Sequence, residues 1–243
     1  MENIRTIENN LKLMNQKIII AIDGPAGSGK STTARIVAKR LNYIYIDTGA
    51  MYRAVTLAWL KSGLELDEQN VNNIVDNITI NLIQGEQQQI VLLNNEDITQ
   101  EIRKPEITKF VSPISAMGYI RKKMVAQQRE MGKFGGVVMD GRDIGTVVFP
   151  KAELKIFLIA NAEERAKRRL KELSLVGINQ SFDEILQSIV QRDQYDSSRD
   201  ISPLSKADDA IELDTTNITI DEQCNFIIDR ALKIIERFNK FCG

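Results

Sequence analysis

The chain has 243 residues, of which 43% are hydrophobic and 27% charged, so it has the composition of a soluble globular protein and the length to bury a sizeable core. Its formal net charge of −1 argues against a broad nucleic-acid interface, and no apolar run approaches the ~20 residues of a membrane span. Histidine is absent, which excludes imidazole acid–base catalysis and histidine metal sites. Two cysteines without a metal or redox spacing favour a cytoplasmic location.

The first sixteen residues differ in character from the rest of the chain. Residues 1–16 are polar and asparagine-rich and lack the apolar segment of a secretory signal, so we expect a flexible N-terminal extension. The remaining length suits one domain with an insertion better than two equal domains. We therefore expect residues 17–243 to form a single domain.

A glycine-rich loop follows the first apolar run of the chain. Residues 17–23 are mostly β-branched and lead directly into Gly-Pro-Ala-Gly-Ser-Gly-Lys-Ser, after which a helical pattern covers residues 30–41. A strand, G-x-x-x-x-G-K-[ST] and a helix form the P-loop, whose backbone N–H groups bind phosphates. We expect Lys30 to reach the β- and γ-phosphates and the Ser31 hydroxyl to ligate Mg²⁺. The residues predicted to bind the triphosphate are Gly24, Pro25, Ala26, Gly27, Ser28, Gly29, Lys30, Ser31 and Thr32.

Short apolar runs alternate with helical patterns along the chain. The predicted strands are residues 17–22, 43–46, 136–139, 154–160 and 210–213. The predicted helices are residues 30–41, 50–61, 113–131, 162–173, 182–194 and 221–240. This alternation indicates a parallel sheet that is covered by helices on both faces.

One segment breaks this alternation. Residues 78–82 and 90–93 are two apolar runs that flank Gln84-Gly85-Glu86, which predicts an antiparallel hairpin. A helical pattern at residues 67–76 precedes the hairpin. We therefore expect a small α+β insertion over residues 64–105, and it holds none of the residue types that a reaction would require.

Two further motifs follow predicted strands. In Asp47-Thr48-Gly-Ala-Met-Tyr-Arg53, Thr48 is expected to cap a helix, and Arg53 either is solvated or binds a second anion near the P-loop. In Asp140-Gly-Arg142-Asp143, two carboxylates and an arginine crowd the carboxyl end of a strand, where open α/β sheets bind ligands. A structural ion pair is the alternative for this second motif.

Two groups of arginines lie in predicted helices near the C-terminal side of the chain. Arg192, Asp196 and Arg199 are spaced by four and three residues, which predicts that they share one helix face. Upstream, Arg165, Arg168 and Arg169 share another. Each group is either a solvated basic face or part of a closing lid whose arginines stabilise the charge of a transferred phosphoryl group.

Other classes of P-loop protein fit the chain less well. A GTPase switch requires N-K-x-D to bind guanine, and this tetrapeptide is absent. A motor or remodelling ATPase requires an apolar strand that ends in Asp-Glu, but the candidate strand at residues 137–140 continues with Gly-Arg. A small-molecule kinase is favoured, because it needs a P-loop, a second phosphate site and a lid.

Four motifs together resemble the bacterial cytidylate kinase family of nucleoside monophosphate kinases, in the order and spacing of that family. They are residues 24–32, residues 47–53, Asp-Gly-Arg-Asp-Ile-Gly-Thr-Val-Val-Phe-Pro at 140–150, and Arg-Asp-x-x-Asp-Ser-x-Arg at 192–199. The likeness extends from about Lys17 to the C-terminus. The motif at 140–150 is the most specific, because other nucleoside monophosphate kinases do not share it.

The resemblance implies a P-loop three-layer α/β/α fold with a five-stranded parallel sheet, a monophosphate-binding insertion and a helical lid. The implied regions are a core at 17–63, 106–161 and 201–243, the insertion at 64–105 and a lid at 162–200. The implied reaction is ATP-dependent phosphorylation of CMP and dCMP with Mg²⁺, by a monomer that binds neither nucleic acid nor membrane. A kinase for another base, such as UMP, and a nucleotide-dependent switch remain as alternatives.

The resemblance also implies a role for individual residues. Arg53, Arg142 and Arg199 would hold the α-phosphate of the acceptor, and Arg192 and Asp196 would contact its ribose. The residues implied to read the base are Thr48, Ser112, Arg121 and Asp143. The residues implied to carry catalysis are Lys30, Arg142, Arg165, Arg168 and Arg199. The attacking group is an ionised phosphate oxygen, so a chain without histidine needs no general base.

Overall fold

The computed structural model describes residues 17–85, 88–175 and 177–241, and the predicted extension at residues 1–16 and Cys242 lie outside these ranges. The strands are β1 (Ile19–Asp23), β2 (Ile44–Asp47), β3 (Ile80–Gln84), β4 (Gln89–Leu93), β5 (Glu96–Asp97), β6 (Val137–Gly141), β7 (Leu154–Ile159) and β8 (Ile211–Asp214). The α-helices are α1 (Lys30–Leu41), α2 (Thr48–Ser62), α3 (Glu68–Asp76), α4 (Pro105–Ala116), α5 (Gly118–Gly132), α6 (Ala162–Leu175), α7 (Phe182–Ser198) and α8 (Ile220–Phe241).

The strand β1 lies at the centre of a five-stranded sheet with the order β2-β6-β1-β7-β8. Every neighbouring pair in this sheet is parallel. The five strands coincide with the five predicted apolar runs, so the predicted parallel sheet is confirmed. A parallel strand is buried on both faces, which explains why β1 begins with the unbroken apolar run Ile-Ile-Ala-Ile.

Helical layers cover both faces of this sheet. Successive residues of a strand point to opposite faces. Ile20 and Ile22 pack in one cluster with side chains of α1 and α8, whereas Ala21 packs in another cluster that includes Val125 of α5. The predicted three-layer α/β/α arrangement is therefore confirmed.

The segment predicted as an insertion contains the helix α3 and a three-stranded antiparallel sheet, β3-β4-β5. The predicted hairpin corresponds to β3 and β4, and β5 is an addition that the sequence analysis did not predict. The side chain of Gln89 joins the insertion to the open edge of β2, because its amide accepts from the Asp47 N–H and donates to the Tyr45 carbonyl. The insertion thus has a fixed place beside the motif that begins at Asp47.

The helix predicted at residues 113–131 is wrong, because the structure has two helices, α4 and α5, in this region. Pro105 occupies the first turn of α4, where a missing N–H costs nothing. Pro113 lies inside α4, and the chain is extended at Met117 before α5 begins. The apolar pattern continues across Met117, so hydrophobic periodicity did not reveal the break.

The helices α6 and α7 pack against each other through a small cluster of their own, whose buried members are Ala166, Leu173, Ile185 and Ile189. We refer to residues 162–198 as the helix pair. None of the helices in the described part of the chain has the length and apolarity of a membrane span.

Candidate nucleotide-binding site

The P-loop connects the end of β1 with the beginning of α1. Gly24 has φ +146°, and a Cβ at this position would lie 2.1 Å from the Leu158 carbonyl oxygen, so only glycine fits. Gly29 has φ +89° and is the residue from which α1 starts. The loop therefore approaches the N-terminus of α1, where unpaired N–H groups and the helix dipole favour an anion.

Lys30 is buried although it carries an ammonium group. Its side chain donates to the Pro25 carbonyl at 2.6 Å and to the Ser28 hydroxyl at 3.4 Å. Burial, followed by the charge of Arg142, lowers the pKa of Lys30 well below its usual value. A buried cation whose hydrogen bonds go to neutral oxygens is arranged to receive an anionic ligand.

Asp140 is one of the two carboxylates that the sequence placed at the carboxyl end of a strand, but its role was not predicted. The Ser31 hydroxyl donates to one of its carboxylate oxygens at 2.8 Å, and the Tyr45 hydroxyl donates to the other at 2.8 Å. Burial, followed by the charge of Asp47, raises the pKa of Asp140 to about 6. The position of Asp140 in the strand next to β1 could have indicated this role. The Asp-Glu motif depends on the residue that follows the aspartate, and it therefore did not identify Asp140.

Ser31 and Asp140 fit a magnesium ion. Magnesium prefers oxygen ligands and is commonly held by one or two protein oxygens together with substrate phosphates, and P-loop proteins use the loop hydroxyl and a strand carboxylate. No group of three or more metal-ligating acidic or cysteine side chains occurs in residues 17–85, 88–175 and 177–241. The remaining ligands would thus be phosphate oxygens and water.

Arg53, Arg142 and Arg192 converge close to the P-loop. Arg53 donates to the Thr108 hydroxyl at 2.8 Å, and Arg142 donates to Asp196 at 2.9 Å. Burial, followed by repulsion from Arg192, lowers the pKa of Arg53 to about 9. Burial, followed by repulsion from Arg142, lowers the pKa of Arg192 to about 10. This crowding of partly buried positive charge favours a phosphate-sized anion.

Asp196 is the acidic partner of this group and is only 3% exposed. Burial opposes its charged form, but Arg142 and Arg192 outweigh burial and hold the pKa of Asp196 below its usual value. The Nε atom of Arg192 is buried and, within the described residues, has no hydrogen-bond partner. The two arginines and Asp196 thus lie together, although the predicted helix face contained only Arg192 and Asp196 of these three.

Two predicted positions need correction. Arg199 does not share a helix face with Arg192, because α7 ends at Ser198 and the extended backbone of Arg199 turns its Nε toward the Ser202 carbonyl at 2.6 Å. Thr48 does not cap α2, because the Asp47 carboxylate accepts the Ala50 N–H at 2.9 Å and is the cap. The Thr48 hydroxyl instead donates to the Asp140 carbonyl at 2.7 Å.

A buried ion pair joins Arg121 of α5 with Asp143, which follows β6. Arg121 also donates to the Ser115 carbonyl at 3.1 Å, and its guanidinium lies 5.6 Å from the centre of the Tyr52 ring. Ser112 lies one turn before Ser115 on α4, and no hydrogen bond joins its side chain to this pair within the described residues. The structure therefore brings Arg121 and Asp143 together but does not connect Ser112 to them.

The arginines of α6 do not form a solvated face. Arg165 is buried, and it donates to Asp193 of α7 at 2.5 Å and to the carbonyl of the P-loop residue Ala26 at 3.0 Å. Arg168 donates to the Thr215 carbonyl at 2.5 Å. Arg169 pairs with Glu172 at the surface. The first two arginines thus tie the helix pair to the P-loop and to the end of β8.

A cavity of about 420 Å³ lies beside the P-loop. Its lining includes Arg168, Thr216 and Gln223. The side-chain oxygen of Gln223 would lie 3.5 Å from a Cβ at Gly29, which places this cavity next to the loop.

The fold and the loop define a P-loop nucleotide-binding protein. The family model for cytidylate kinase matches residues 20–233. The cytidylate kinase of Bacillus pumilus (strain SAFR-032) is 51% identical, covering 91% of this chain and 99% of the relative. That of Bacillus anthracis (strain CDC 684 / NRRL 3495) is 48% identical, covering 92% of this chain and 100% of the relative. The chain belongs to the cytidylate kinase family.

Proposed function

We propose that this enzyme transfers the γ-phosphoryl group of ATP to the phosphate of CMP or dCMP. The proposal rests on one observation: two anion sites lie close together at the carboxyl ends of the parallel strands. Lys30 and the P-loop form the first, and the partly buried arginines 53, 142 and 192 form the second. The reaction needs a donor phosphate and an acceptor phosphate side by side, and this arrangement supplies a site for each.

On the donor side, the P-loop N–H groups and Lys30 would hold the phosphates of ATP. When bound, Mg²⁺ would supply charge neutralisation at the donor phosphates, and Ser31 and Asp140 would hold it. The cavity beside Gly29 would take the adenine. Arg165 and Arg168 would stabilise the transferred group after exchanging their carbonyl partners for phosphate oxygens.

On the acceptor side, Arg53, Arg142 and Arg199 would hold the α-phosphate. Arg192 and Asp196 would bind the ribose. Because that phosphate is already ionised at neutral pH, the protein does not need to remove a proton from the nucleophile. Its contribution is to hold both phosphates in line, neutralise their charge and exclude water.

Base choice would rest on Arg121 and Asp143, with Thr48 and Ser112 beside them. Cytosine offers an amine donor where uracil has a carbonyl, and its ring nitrogen accepts where that of uracil donates. A buried carboxylate would accept from the amine and repel the uracil oxygen. A site with buried polar partners rejects a mismatched analogue strongly, because its own groups are then left unpaired.

Three properties complete the proposal. The enzyme would use Mg²⁺ with ATP, act as a monomer and work in the cytoplasm. The net charge of −1 makes nucleic acid an unsuitable partner. The reaction places both substrates on small-molecule sites, and we propose no membrane partner.

The deciding experiment is a panel of CMP, dCMP, UMP, AMP and GMP with ATP and Mg²⁺. We expect turnover with CMP and dCMP, weak turnover with UMP, and none with the purines. Lys30→Ala should abolish the signal, whereas Lys39→Ala should not, because Lys39 is exposed at the end of the same helix. Equal use of UMP and CMP would refute the base assignment, and hydrolysis of ATP without an acceptor would favour a nucleotide-dependent switch.

A further inference from the structure

Asp23 connects β1 to the segment that contains Asp143, the carboxylate proposed to read the base. It is the last residue of β1, directly before the P-loop, and it is only 6% exposed. Its two carboxylate oxygens accept the N–H groups of Ile144 at 2.9 Å and Gly145 at 2.7 Å. One side chain thus binds two successive peptide groups from a distant part of the chain.

These contacts fix the peptide group that follows Asp143 at both ends. Its N–H belongs to Ile144 and donates to Asp23. Its carbonyl accepts the Val147 N–H at 2.8 Å and the Val148 N–H at 3.1 Å. The direction of the Asp143 side chain depends on the orientation of this peptide group, so Asp23 contributes directly to that direction.

Gly145 permits this close approach. A Cβ on Gly145 would lie 3.3 Å from a carboxylate oxygen of Asp23 and 3.2 Å from Cδ of Lys155. Both neighbours are buried, so neither can move away freely. A Cβ here would therefore require the turn or one of these two side chains to shift by a few tenths of an ångström.

A charged group is a costly way to hold a turn inside the protein. Burial is the main cause that raises the pKa of Asp23 to about 7, and the two N–H groups and Lys30 oppose this effect. Asparagine would have the same shape without the charge, but its amide nitrogen would face one of the two N–H groups. Only a carboxylate accepts from both.

We infer that Asp23 is a positioning residue for base selection, which holds Asp143 in a fixed place relative to the P-loop. This inference rests on the proposed function. Asp23 would not contact either substrate and would act through the backbone of Ile144 and Gly145.

The test is the ratio of kcat/KM for CMP to kcat/KM for UMP in Asp23→Asn. We expect this ratio to fall by about tenfold, mainly through a higher KM for CMP, because a displaced Asp143 would lose its hydrogen bond to the cytosine amine, and the loss of one buried hydrogen bond has about that effect. The matched control is Asp97→Asn. Asp97 also accepts a backbone N–H, that of Thr99 at 2.9 Å, but it lies in the insertion on β5, and the ratio should stay unchanged.

Gly145→Ala gives a second, independent route to the same result, because it displaces the turn while Asp23 stays intact. It should lower the ratio in the same direction, and it decides the matter if Asp23→Asn does not fold. A wild-type enzyme without a preference for CMP would contradict the proposed function itself. A selective wild type whose ratio both variants leave within about twofold would overturn the role of Asp23, since a purely structural change lowers activity with both acceptors alike.

Discussion

The insertion and the helix pair are attached to the rest of the protein in different ways. The insertion shares one continuous apolar cluster with α2, α4 and α5, in which Trp59 and Phe110 pack edge to face with ring centres 5.1 Å apart. The helix pair has an apolar cluster of its own, and it reaches the rest of the chain through Arg165, Arg168 and Asp196.

This difference concerns which contacts a nucleotide can replace. Apolar burial is lost only at the cost of exposing the surface to water, so an apolar junction stays closed. Hydrogen bonds from an arginine to a carbonyl can be exchanged for bonds to a phosphate oxygen, which are stronger. We therefore expect the helix pair to move when nucleotides bind and the insertion to stay with the α2–α4–α5 layer.

The largest expected effect is the loss of stability when the apolar junction is damaged. Ile98 is 2% exposed and belongs to the cluster of the insertion, so Ile98→Ala should lower the free energy of unfolding of the whole protein by about 2–5 kcal/mol. Leu173→Ala removes a comparable side chain from the cluster of the helix pair. Hydrogen exchange should then show opening confined to residues 162–198. Faster hydrogen exchange throughout the protein in Leu173→Ala would show that the helix pair is not a separate unit.

The second largest effect is on turnover, and it comes from a change in the P-loop, which the helix pair contacts through Arg165. Lys30→Ala should lower turnover by about 10²-fold or more, because the variant loses charge stabilisation in the transition state. The free energy of unfolding should change by less than about 1 kcal/mol, since Lys30 bonds only to oxygens of its own loop. Steady-state kinetics and urea unfolding measure the two quantities. Near-normal turnover in Lys30→Ala would show that the P-loop does not bind the reacting phosphates.

The next prediction concerns how the free energy of unfolding depends on pH through Asp23, at the carboxyl end of β1. Burial raises the pKa of Asp23 from 3.8 to about 7, with Asp143 adding to the effect and Lys30 opposing it. Between these values the folded protein holds a proton that the unfolded chain releases. The contribution to stability is fully present below about pH 4 and is lost as the pH rises through 7, by up to about 1.4 kcal/mol per pH unit.

Urea unfolding of the nucleotide-free wild type and Asp23→Asn at a series of pH values checks this sign. The difference in free energy between the two proteins should change with pH in that window and become constant above it. A difference that is independent of pH would show that Asp23 keeps an ordinary pKa.

The smallest effect concerns the contact of the helix pair with the acceptor sugar. Asp196→Ala should impair CMP and dCMP unequally, by about threefold or more, because a carboxylate can bond ribose hydroxyls that the deoxy sugar lacks in part. Arg199→Ala should impair both acceptors alike. Ser197→Ala is the control, since Ser197 is exposed on the same helix. Changes below about twofold in the first two variants would mean that neither side chain contacts the acceptor.

The sequence alone determined the sheet, the P-loop and the presence of the insertion. Buried parallel strands need unbroken apolar runs, and a P-loop needs glycines at fixed spacing, so both leave local marks in the chain. Motif spacing also placed Arg192 and Asp196 on one helix face, whereas only the family resemblance linked Arg142 to them.

Only the tertiary structure decided the partners of single side chains. The hydrogen bonds from Tyr45 and Ser31 to Asp140, from Gly145 to Asp23 and from Arg165 to Ala26 join residues far apart in the chain. Their geometry depends on how strands and helices pack, which local pattern does not encode. The break at Met117 and the turn at Arg199 also escaped prediction, because residue spacing does not show where the backbone becomes extended.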